Sequence, residues 1–182
     1  MQWKRGVDLR EFGSGRTGIS NVLRTGSAQS AVVVLTLDIG KGVMAVVLAR
    51  EVIGTNGAEV AAGLIVLAGH NWPVFLQFKG GRGILTALGG LALMVPVAAI
   101  IATATFLTVI ALSRYISLGS VIGVKIGALA ILALALAGVN SGTSMVYGFI
   151  ASATLVWQHR DTLNRIRDGN DHRLGQPHTK VE

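Results

Sequence analysis

The 182-residue sequence predicts an all-α fold, a polytopic integral membrane bundle of about six membrane helices with glycine-rich cytoplasmic loops. Three observations carry that prediction. Hydrophobic residues make up 51% of the chain and charged residues 14%, roughly half the charge a water-facing surface needs. The apolar residues fall in long runs separated by short polar breaks. The net charge of +7 is concentrated at the two ends and in those breaks, a distribution that suits membrane topology and anionic ligands better than a nucleic-acid-binding stripe. With no Cys there are no disulfides, thiol nucleophiles or Cys-ligated metals. Residues 1–182 read as a single domain, with 159–182 a basic cytoplasmic tail.

The elements follow in order. Residues 1–26 are polar and glycine-rich, with no signal-peptide pattern. Ala28 to Ala49 is long enough to span hydrocarbon although it contains Asp38 and Lys41, three apart on one helical face. Arg50 to Glu59 reads as a polar connector, and Val60 to Ala68 as a run too short to cross unaided. His70 to Gly83 is a second polar loop. Ile84 to Leu112 carries Pro96 near its middle, so it is one kinked helix or two short ones meeting at the proline. Ile116 to Gly138 and Thr143 to Trp157 are two more helices, parted by the Asn140-Ser141-Gly142 turn. Gly119, Gly123 and Gly127 give the first of these a flat stripe suited to close internal helix packing, and Lys125 is expected to snorkel toward an interface.

Parity favours the split at Pro96. Six crossings put the N-terminal segment, the 70–83 loop, Arg114 and the basic tail on one side, and the positive-inside tendency makes that side cytoplasmic. Three polar clusters then share one face. Gly13 to Gly18 matches G-x-G-x-x-G, but no strand precedes it, which excludes a dinucleotide fold; its glycines, Ser14 and Arg24 suit an anion instead. Lys79-Gly80-Gly81-Arg82-Gly83 with Thr86 is a flexible cationic loop at a helix start, suited to phosphate yet not a P-loop. Trp72, Phe75 and Phe78 read as interfacial anchors beside it. His159-Arg160-Asp161 lacks the rest of a kinase signature. Arg165, Arg167 and Arg173 beyond it suit lipid headgroups.

Taken together, Gly13-Ser14-Gly15 through Asn21-Val22-Leu23-Arg24, Asp38-x-x-Lys41-Gly42, Gly69-His70-x-x-Pro73-x-Phe75, Lys79 to Gly83 with Thr86, and His159 resemble the bacterial acyl-phosphate:glycerol-3-phosphate acyltransferases, the PlsY family. The resemblance implies a multi-pass enzyme of the bacterial inner membrane, working from its cytoplasmic face in phospholipid biosynthesis. Such an enzyme moves a fatty acyl group from acyl phosphate to the sn-1 hydroxyl of glycerol 3-phosphate. It implies no cofactor and no metal, and membrane lipid and the acyl-phosphate-producing enzyme as partners. Carried over, Ser14, Lys79 and His159 are the catalytic candidates. Gly15, Asn21, Arg24, Lys41, His70, Gly80, Gly81, Arg82, Gly83 and Thr86 are the substrate- and phosphate-binding ones.

Three departures mark a divergent member or one missing its first membrane helix. Arg16 and Thr162 stand where the family has Asn, and Met1 lies a few residues ahead of the first motif. Two other readings remain at this level: a membrane transporter of a phosphorylated small molecule, suggested by Asp38, Lys41 and Lys125 within helices, and a non-catalytic relative.

Overall fold

The computed structural model describes residues 18, 19, 21, 22 and 28–169, and every regular element among them is helical. The order is α1 (Ala28–Val52), α2 (Asn56–Asn71), a 3-10 turn (Val74–Leu76), α3 (Ile84–Met94), α4 (Pro96–Ser113), α5 (Ile116–Leu136), α6 (Thr143–Gln158) and α7 (Arg160–Arg167). Among the described residues, four helical stretches are long and apolar enough to cross a membrane: Ala28–Val52, Asn56–Leu76, Pro96–Ser113 and Ile116–Leu136.

Pro96 splits the 84–112 run into two helices. The chain bends at Val95, and Pro96 then starts α4, where a missing N–H is harmless. Other boundaries differ from the sequence reading. The Arg50 to Glu59 connector is largely helix, because Thr55 caps α2 and the Arg50 guanidinium donates to both Glu59 carboxylate oxygens at 2.9 Å. Arg50 also donates to the Leu93 carbonyl at the end of α3, so one side chain ties α1, α2 and the Pro96 bend together. His70 and Asn71 close α2 rather than open a loop.

Close helix approach is set by residues without bulk. A Cβ on Gly42 of α1 would collide with the Thr86 carbonyl of α3, and one on Gly89 with the Ile39 carbonyl, so these glycines permit the α1–α3 crossing. The α5 stripe does the same against α4: Gly119 lies on Phe106 and Ile110, and Gly123 and Gly127 lie on Ala102. The stripe is internal packing. Some hydroxyls inside the helices are satisfied locally: Thr103 and Ser120 donate to the carbonyls four residues earlier.

The core runs along α2, α3, α5 and α6 through Leu67, Ala87, Leu91, Ile131, Tyr147 and Leu155. Its buried Tyr147 hydroxyl donates to the Ala87 carbonyl at 2.7 Å. The alternation of antiparallel helices gathers the 72–83 segment, residues 114–115 and α7 at one end, and the 53–55, 95 and 137–142 turns at the other.

Candidate active site

A cavity of about 70 Å³ whose wall mixes charged, polar and apolar side chains opens at the first of these ends. Its walls are Gly18, Ile19 and Asn21 ahead of α1, Asp38 of α1, His70 of α2, Arg82 and Gly83 before α3, Ile84 and Leu85 of α3, Phe106 of α4, Ile116 and Ser120 of α5, and His159; its polar groups make it the polar one of two adjoining cavities. Segments separated by up to 141 positions therefore meet around one space.

Each polar wall is held in place. His159 is buried, and its Nδ1–H donates to the Leu155 carbonyl at 2.7 Å, which fixes the ring at the junction of α6 and α7. Asn21 is buried on a helical turn whose N–H donates to the Gly18 carbonyl. Arg82 donates to Ser117 Oγ on α5 at 3.4 Å and to the buried Thr162 hydroxyl on α7. Arg165 donates to that same hydroxyl at 3.0 Å. Thr162 thus accepts from two guanidinium groups, using both lone pairs of one oxygen.

The glycine loop is pinned from below. Gly80 N–H donates to the Asn71 carbonyl and Gly81 N–H to the His70 carbonyl, both at 3.3 Å. A Cβ on Gly80 would meet the His70 carbonyl, and one on Gly81 the His70 ring. Gly83, at φ +82°, makes the left-handed turn that starts α3. His70 is fixed in turn by Lys41, whose Nζ donates to His70 Nδ1 and, at 2.6 Å, to Asp38 Oδ1.

Not every sequence candidate reaches the cavity. Ser14, Gly15 and Arg24, with the Arg16 departure, lie outside the described residues. Asn21, His70, Arg82, Gly83 and His159 line the space, and Gly80, Gly81 and Lys41 support it from behind. Lys79 is exposed on the outer side of the loop and is absent from the lining. Thr86 is buried where α3 crosses α1, also outside the lining. Asp38 and Thr162 stand in the motifs of the sequence reading, Asp38 beside Lys41 and Thr162 as a departure, but not among its candidate site residues. Asp38 had a signal in its spacing to Lys41, and Thr162 in standing one helical turn after His159.

A second cavity, apolar and about 300 Å³, adjoins the first. Ile84, Leu85, Phe106 and Ser120 line both. The rest of its wall comes from α1, α3, α4, α5 and α6, with Leu35, Leu107, Val124 and Ile131 among its residues.

A polar pocket backed by a greasy one limits the field, and comparison with known proteins decides it. Residues 1–169 match the family model described as glycerol-3-phosphate acyltransferase. The chain belongs to the glycerol-3-phosphate acyltransferase family. The acyltransferase is 38% identical to the glycerol-3-phosphate acyltransferase of Thermoanaerobacter sp. (strain X514) over 96% of this chain and 86% of the relative. It is 43% identical to glycerol-3-phosphate acyltransferase 3 of Dehalococcoides mccartyi (strain CBDB1) over 93% and 84%. It superposes on a crystal structure of PlsY (YgiH), an integral membrane glycerol 3-phosphate acyltransferase, in the glycerol 3-phosphate form, with TM-score 0.85 and 33% identity over 94% of this chain and 84% of that one. The lysophosphatidic acid form of PlsY gives TM-score 0.81 and 32% identity over 90% and 82%.

Proposed function

We propose that this acyltransferase moves a fatty acyl group from an acyl phosphate to the sn-1 hydroxyl of glycerol 3-phosphate, releasing lysophosphatidate and inorganic phosphate. The observation that carries the reading is the contact of the two cavities: a polar space sized for small charged groups shares four wall residues with an apolar space suited to an alkyl chain. The reacting carbonyl then lies near Ile84, Leu85, Phe106 and Ser120. The hydroxyl oxygen attacks that carbonyl, the C–O bond to phosphate breaks, and phosphate departs carrying the proton.

Little covalent help is needed, because the donor already holds a good leaving group; the protein supplies positioning and charge. Two dianions about 6 Å apart repel by on the order of 10 kcal/mol at an effective dielectric constant near ~20, so cationic side chains are essential. Arg82 sits in the wall for that role, with His159 also lining the space. Ser14, Arg24 and Lys79 are assigned to the same phosphates, Lys79 from the rim. Single-domain organisation over 1–182 and six crossings, α1 to α6, complete the reading. The site end carries Lys79, Arg82, Arg114, Arg160, Arg165 and Arg167 against Asp161 and Asp168, whereas the far end carries Arg50, Glu51 and Glu59. That asymmetry supports a cytoplasmic active face in the bacterial inner membrane.

The test is an assay of the purified protein in detergent with labelled glycerol 3-phosphate and either palmitoyl phosphate or palmitoyl-CoA. Labelled lysophosphatidate forms with palmitoyl phosphate and is lost in Ser14→Ala and Arg82→Ala. Uptake of label into vesicles without acylation overturns the reading in favour of transport.

A further inference from the structure

Asp38 is the one carboxylate among the described residues that line the polar cavity. A negative charge is out of place in a pocket for phosphates, so its presence needs a reason of its own. It is held in one orientation: Oδ1 takes the Lys41 ammonium at 2.6 Å and lies 3.5 Å from His70 Nδ1. Its side chain is 13% exposed, and among the described residues no hydrogen bond falls on Oδ2. Lys41 neutralises the charge locally and fixes the group, leaving an oriented oxygen acceptor at the wall.

Such an oxygen recognises a neutral donor, and a hydroxyl is the donor that a three-carbon phosphate substrate offers. We propose that Asp38 is a specificity-determining residue that accepts a hydrogen bond from the secondary hydroxyl of glycerol 3-phosphate, the hydroxyl that takes no part in the reaction. This rests on the acyl-transfer reading. Sites built to bond a substrate hydroxyl discriminate strongly against an analogue that lacks it, because the acceptor is left buried and unpaired. The arrangement also orients the primary hydroxyl, since a backbone held at its phosphate and its middle carbon has little freedom left.

The probe is 3-hydroxypropyl phosphate, which keeps the phosphate and the primary hydroxyl and lacks only the secondary one. With palmitoyl phosphate as donor, kcat/KM is measured for both acceptors in the full chain and in Asp38→Ala and Asp38→Asn. The unaltered protein prefers glycerol 3-phosphate by at least tenfold, and the preference collapses toward unity in Asp38→Ala, chiefly through KM. Asp38→Asn keeps an oxygen and the side-chain shape, so it retains part of the preference, and a melting curve in detergent shows that it folds. If Asp38→Ala does not fold, the Asp38→Asn ratio together with calorimetric titration of both acceptors carries the test. Equal losses on both acceptors, or a variant that discriminates as well as the parent, overturns the proposal while leaving acyl transfer intact. Absence of product from either acceptor in the unaltered protein overturns acyl transfer itself.

Discussion

The two ends of the bundle both carry an acid and a base where α1 meets α2, and they use them differently. At the far end Arg50 and Glu59 meet fork to fork, and a remaining Arg50 donor goes to the Leu93 carbonyl. At the site end Lys41 and Asp38 meet through one carboxylate oxygen, share His70, and leave the other oxygen of a cavity-lining carboxylate without a hydrogen bond among the described residues. The first arrangement is closed and ties helices together. The second stops short of closure, and the groups left over face the space where substrates are proposed to react. Buried ion pairs add little net stability when they are complete, so incompleteness is the better marker of function.

Substitutions that empty the site wall give the largest effect. Arg82→Ala removes a cation from the cavity and the link from the glycine loop to α5 and α7. Product formation falls by about 10²-fold or more, the scale seen when a preorganised charge-stabilising donor is deleted. A variant within threefold of the parent would show that the cavity is not where the phosphates react. Next comes Thr162→Val, which keeps the volume and removes the acceptor shared by Arg82 and Arg165. A lost hydrogen bond to a charged group is worth about 1.5–3 kcal/mol, so kcat/KM drops by roughly 10- to 100-fold, and Thr162→Ser recovers most of it. Failure of the serine variant to recover activity would assign Thr162 to packing alone.

Much of this architecture was legible in the sequence because it is periodic or punctuated. Apolar runs of helical length, a proline inside one of them, and glycines four apart announce helices, a break and a packing stripe from local pattern. Parity and charge put the 70–83 loop and the start of the basic tail on one face, and Arg82 and His159 do line one cavity, whereas most of the first cluster lies outside the described residues. The rest was not legible because it depends on contacts without a period. Arg50 and Glu59 look like a connector because each is polar, yet each lies in a terminal helical turn, and their pairing across the tight turn between α1 and α2 is a contact without a period. Arg82 reaches Thr162 across 80 positions, and the helix α7 that carries Thr162 is polar enough to pass for a tail. Lys79 drew attention by its neighbours, but adjacent residues of an extended loop face different ways, and its outward position was not encoded in composition.

A smaller effect, on stability rather than chemistry, comes from the crossing that supports the site. Gly42→Ala places a methyl against the Thr86 carbonyl, and α1 and α3 must separate. Overpacking of this kind costs about 1–3 kcal/mol. The melting temperature in detergent falls, and activity falls with it, since Asp38 and Lys41 ride on α1 and the glycine loop runs into α3. Unchanged melting would mean that the helices are not in contact there.

The smallest effect belongs to the far end and separates the two regions most cleanly. Arg50→Gln breaks the bidentate pair and leaves the Glu59 carboxylate, which is 10% exposed, without its cation. Arg50 itself is 44% exposed, so solvent and headgroups screen the pair and the loss of stability is about 1 kcal/mol. Restoring a neutral partner with Arg50→Gln/Glu59→Gln returns most of that loss, because the uncompensated charge and not the missing attraction is the main cost. In both variants kcat/KM for acyl transfer stays within twofold of the parent, while the melting temperature moves only in the single one. A fall in kcat/KM comparable to that of Thr162→Val would mean that the two ends are coupled through α1, and that the closed pair sets the position of Asp38 and Lys41 along the helix.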